Sequence, residues 1–95
     1  MLIAVILKHP FDNVFGLEQT EADVPKGSTV QDVVDFIVEK HGVTQALTEN
    51  KLINEGSLLA FYAIDKDRGG GTIVKSDKIL QETNSLTILG TFIGG

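Results

Sequence analysis

Ninety-five residues and 10.2 kDa suit one domain, because each half of a divided chain would be too small to bury a core. Apolar residues make up 42% and charged residues 22%, which excludes disorder over the whole length. Eight basic and thirteen acidic residues leave a net charge of −5, the wrong sign for neutralising nucleic-acid phosphates. The absence of cysteine removes disulfides, thiolate nucleophiles and zinc sites built on sulfur, and makes a cytoplasmic protein the simplest expectation.

The apolar run from Met1 to Leu7 has no basic leader, and Lys8, His9 and Pro10 end it well short of the roughly 20 residues a membrane span needs. It reads as a central strand covered on both faces. A polar, glycine-containing stretch over 12–16 follows, and residues 17–24 are patterned weakly enough to pair back as an edge strand. Pro25, Lys26 and Gly27 break the chain. Ser28 with Gln31 three residues on reads as a capping box, opening a helix whose Val30, Val33, Val34, Ile37 and Val38 share one face. Gly42 marks its end.

Residues 43–57 suit a short helical turn and loop. Residues 58–64 read as a strand, 65–71 as a flexible connection and 72–75 as a short partner strand, together a hairpin. The last strand spans 86–93. This order is an α+β pattern, a mixed sheet of four to five strands packed on one main helix.

The usual catalytic constellations are nearly empty. His9 and His41 lack metal-ligand spacing from each other or from an acidic partner, so surface and capping roles suit them. Asp32, Asp35 and Glu39 fall on the water-facing side of the helix, which suits solvation better than acid–base work. Gly69, Gly70 and Gly71 lead into a strand, without the lysine, hydroxyl and helix that a phosphate cradle requires.

The end of the chain is different. No side-chain charge follows Glu82, and Gly94 and Gly95 close an apolar strand. Two residues without β-carbons can thread a narrow channel in extended form and bring a backbone carboxylate to a nucleotide's α-phosphate. The alternative is a frayed end of small residues with no task. The expected organisation is one domain over 1–95 with a flexible Gly-Gly tail from about residue 91.

The first strand, the stretch from Val24 to Val30 leading into an amphipathic helix, the approach from Leu80 to Ile88, and the closing Phe92, Ile93, Gly94 and Gly95 resemble the MoaD/ThiS sulfur carriers. The resemblance spans most of the chain and implies a ubiquitin-like β-grasp fold. It implies that an ATP-dependent adenylating enzyme of the ThiF/MoeB kind activates the Gly95 carboxylate. The acyl-adenylate then becomes a thiocarboxylate that donates sulfur to an acceptor synthase, in molybdopterin, thiamine or related biosynthesis. Gly94 matches the penultimate tail glycine, and Phe92 and Ile93 match apolar tail positions that guide the end into a partner. The carrier itself supplies no catalytic side chain and holds no cofactor or metal, and the resemblance implies no nucleic-acid or membrane partner. Residues 83–85 stand where members often have a Gly-Asp turn, and Ile64 and Asp65 lead into the glycine run where members often have an Asn-containing turn. Two other readings remain: a ubiquitin-like modifier conjugated through Gly95, and a non-reactive β-grasp subunit that docks through Phe92, Ile93 or the helix-rim residue Phe36.

Overall fold

The computed structural model describes residues 1–65, 71–82 and 84–91. Strand β1 (Leu2–Leu7) pairs antiparallel with β2 (Gln19–Asp23), and between them lies a one-turn helix, α1 (Phe11–Phe15). The main helix, α2 (Val30–His41), is followed by the short α3 (Thr44–Glu49) and by a two-strand ribbon of β3 (Ile53–Asn54) and β4 (Ser57–Leu58). Strands β5 (Ala60–Asp65) and β6 (Gly71–Val74) form the expected hairpin, and β7 (Ser85–Gly90) completes a five-stranded sheet in the order β2-β1-β7-β5-β6. β7 runs parallel to β1 and antiparallel to β5.

Helix α2 packs as its periodicity requires, with Val30, Val33, Val34 and Ile37 buried against Ile3, Val5, Leu7, Leu86 and Ile88 in a single core. Its cap lies one residue later than the sequence pattern indicates. Thr29, not Ser28, receives the Asp32 amide on its hydroxyl, and the Asp32 carboxylate accepts the Thr29 amide at 2.9 Å. A carboxylate in the first turn meets the positive end of the helix dipole, an advantage that the Ser28–Gln31 pair lacks. Ser28 is buried instead, its carbonyl accepting from the Leu80 amide. Gly42 ends the helix in the left-handed conformation, as expected.

Three further expectations are corrected. β1 is covered on one face only: Ile3, Val5 and Leu7 are buried, whereas Leu2 is 59% exposed and Ala4 and Ile6 are half-buried. The stretch read as a polar loop over 12–16 belongs to α1, whose Phe11 and Phe15 enter the core before Gly16 stops the turn in the left-handed region. The run 58–64 is divided at Leu59, so that Leu58 belongs to the small ribbon and Ala60 opens the main-sheet strand.

Replacing Ile37 by Asp puts an unpaired carboxylate into a fully buried site and is expected to cost more than about 4 kcal/mol. Circular-dichroism melts are expected to show the variant unfolded at temperatures where the parent is folded. A melt equal to the parent's overturns this helix register.

Candidate functional site

Gly95, Gly94, Phe92 and Ile93, the tail residues singled out above, lie outside the described residues, as do residues 66–70 of the glycine run. What the structure describes is the place from which the tail departs. β7 reaches Gly90 in the middle of the sheet, paired there with Ala60 of β5. On its other side the pairing with β1 continues past the strand's end, with the Lys8 amide donating to the Ile88 carbonyl at 3.0 Å and the Gly90 amide to the His9 carbonyl at 3.3 Å.

The sheet has one face on α2 and one that no described element covers. Cross-strand partners share a face, so Ile6, Thr87, Ala63 and Ile73 form a row across this outer side, and Leu89 lies beside Phe61 in the row nearest the exit of β7. Phe61 is 47% exposed and Ile73 62%. At the opposite end of the strands, the Ser85 hydroxyl donates to the Asp65 carboxylate at 2.8 Å. The chain therefore leaves the body beside an apolar patch, with Lys75 lining the same hollow as Phe61 and Ile73. Reading 58–64 as one apolar run hides this patch; the alternation of buried Tyr62 and Ile64 with outward Phe61 and Ala63 is the signal that finds it.

The other candidates separate. His9 is exposed, with Asn13 as its neighbour at 3.5 Å. His41 is half-buried at the end of α2, where its Nε2 lies 2.7 Å from the Thr20 hydroxyl and its ring stands edge-on to Phe15. Asp32 serves the helix cap, Asp35 accepts from the Gln31 amide at 2.8 Å, and Glu39 is exposed, so the helical carboxylates lie on a solvated face. Gly71 opens strand β6, and Phe36 is half-buried against the core. Among the described residues no three His, Asp or Glu side chains are grouped to hold a metal ion, and no helix is long and apolar enough to cross a membrane.

Tyr62 is the one described group whose titration the fold clearly moves. Burial pushes its phenol up to about 12, and the Asp35 carboxylate adds to the rise. The folded state therefore holds the phenolic proton more tightly than the unfolded chain, whose ordinary value is 10.0. The resulting stability is complete below the unfolded value and is lost as pH rises from about 10 toward 12. Because Tyr62 is the chain's single tyrosine, ultraviolet titration of tyrosinate reports it alone, and the midpoint is expected near 12 when folded and near 10 in denaturant. Equal midpoints overturn this placement.

No protein-family model and no curated protein sequence matches the chain. Solved structures do. The small archaeal modifier protein 1 of Haloferax volcanii, SAMP1, superposes with a TM-score of 0.71 at 19% identity over 100% of both chains. A putative molybdopterin converting factor, subunit 1, of Pyrococcus furiosus does so at 0.66 and 19% identity over 93% of this chain and 94% of that one. The Amycolatopsis orientalis BexX/CysO complex contains a chain that matches at 0.59 and 24% identity, over 98% and 99%. At these identities the likeness establishes the architecture, and the chain has the ubiquitin-like β-grasp fold.

Proposed function

We propose that this protein is a sulfur carrier whose chemistry resides in the Gly95 carboxylate. The observation that carries the reading is the position of β7: it brings the chain out at the rim beside exposed Phe61 and half-buried Leu89, five residues before a Gly-Gly end. The names of the structural neighbours, a modifier protein and a molybdopterin converting subunit, agree with it. An adenylating enzyme grips the apolar outer face and draws in the tail through Phe92 and Ile93, while Gly94 and Gly95 pass a channel too narrow for side chains.

In the first step a carboxylate oxygen of Gly95 attacks the α-phosphorus of ATP held by the enzyme, and pyrophosphate leaves. In the second, a hydrosulfide ion supplied by a partner attacks the acyl carbon, the bond from that carbon to the bridging oxygen breaks, and AMP departs with that oxygen, leaving a thiocarboxylate and releasing the sulfur's proton. An acceptor synthase then takes the sulfur, in molybdopterin, thiamine or a related biosynthesis. The carrier contributes reach and an unobstructed nucleophile, and the catalytic groups belong to the enzyme.

The modifier neighbour favours one second reading, in which a lysine amine attacks the activated Gly95 and forms an isopeptide. Mass spectra of protein from its native host separate the two: sulfur in place of one oxygen marks the carrier, and isopeptide-linked adducts mark the modifier. With a cognate adenylating enzyme and ATP, the parent is expected to release pyrophosphate, and a variant extended by one residue after Gly95 to release none while melting as the parent does. Equal pyrophosphate release by both overturns the reading and leaves a non-reactive docking subunit.

Phe61→Asp is expected to raise KM for the carrier at least tenfold through loss of an apolar contact, with little change in the melt because Phe61 is 47% exposed. An unchanged KM shows that the enzyme binds elsewhere.

A further inference from the structure

Gly90 is the last residue of β7 and sits in the sequence as a glycine within an apolar strand. Its backbone does not lie in the left-handed region, so conformational freedom does not account for it. Space does. A β-carbon built on Gly90 would stand 2.6 Å from Cδ of Pro10 and 2.8 Å from the carbonyl oxygen of His9, distances that real β-carbons do not show. Neither atom is the far end of a flexible side chain. One belongs to a proline ring at the start of α1, the other to the backbone that accepts the Gly90 amide. Relief would require the junction of β1 and α1 to move, and α1 is anchored in the core by Phe11 and Phe15.

From these contacts the geometry points to Gly90 as a positioning residue for the tail: close backbone approach at 90 clamps the strand end against His9 and Pro10 and sets the direction in which the chain leaves the body. This inference rests on the carrier reading. Gly95 is five residues beyond Gly90, at most about 17 Å of extended chain, so the root decides what the carboxylate can reach. A shift of about 1 Å at a positioning element can cost about 100-fold in rate although the reacting atoms are untouched. Gly90 directly follows Leu89 of the outer row, but the partners of the clamp, His9 and Pro10, lie outside that row, so loss of the clamp falls on delivery more than on binding.

The test compares the parent with Gly90→Ala and with Val33→Ala, a fully buried variant on α2 that serves as a stability control. Pyrophosphate release is measured across carrier concentrations with the cognate adenylating enzyme and ATP. Gly90→Ala is expected to lower kcat by tenfold to a hundredfold with KM within about threefold of the parent, while Val33→Ala keeps kcat despite its lowered melt. A Gly90→Ala variant with the parent's kcat, or a control whose kcat falls equally, overturns the inference. Amide residual dipolar couplings of Thr91 supply a readout that needs no enzyme. Altered couplings in Gly90→Ala support the clamp, and unchanged couplings sink it. Altered couplings in a protein whose parent no enzyme adenylates keep the clamp and sink the carrier reading.

Discussion

Strand β7 is hydrogen-bonded on both sides, in parallel to β1 and antiparallel to β5, so the end of the described chain lies at the centre of the sheet and not at its edge. Parallel pairing of the first and last strands requires the chain between them to cross over, and α2 makes that crossing on one face only. Its apolar stripe then decides which side of every strand is core. Ile3, Val5 and Leu7 face it from β1, Leu86 and Ile88 from β7, and Tyr62 and Ile64 from β5. The opposite residues of the same strands are left outward. The uncovered face and the exit of the chain at its rim thus follow from one pairing arrangement.

The parts of this architecture legible in the sequence are those with long, repeated signals. Five valines and isoleucines at helical spacing place α2, and runs of apolar residues, β-branched in β1, β6 and β7 and aromatic in β5, place these strands of the main sheet. Short elements are less legible because one turn contains too few positions to establish a period. Phe11, Val14 and Phe15 have helical spacing between Pro10 and Gly16, but five residues with Asp12 and Asn13 among them read equally well as a turn. The shift of the cap from Ser28 to Thr29 has a similar origin. Two hydroxyl residues stand side by side, and electrostatics at the helix end selects the one whose third neighbour is a carboxylate.

The candidate site divides along the same line. The chemistry assigned to Gly94 and Gly95 comes from residue type and position in the chain, and those residues lie outside the described ones. The surroundings of their departure come only from tertiary pairing, because Phe61 and Leu89 are 28 residues apart yet directly opposed, and His9 and Gly90 more than eighty apart yet hydrogen-bonded. A glycine inside a strand signals close backbone approach in general, but it does not say to what. Only the fold identifies Pro10 and His9 as the neighbours of Gly90.

Charge placement bears on how such a surface stays available. Glu21 and Asp23 lie on the β2 edge and Asp32, Asp35 and Glu39 on the exposed side of α2, away from the row that Phe61 and Leu89 form at the exit of β7. The edge of β2 is further occupied by Lys40, whose ammonium donates to the Glu21 carbonyl at 3.1 Å. Two copies approaching through their apolar faces each bring a net charge of −5, and the mutual repulsion opposes self-association at low ionic strength. A molecule of opposite net charge meets no such long-range barrier. The net acidity of the chain therefore bears on the apolar patch as well: it opposes contact between two copies through that face.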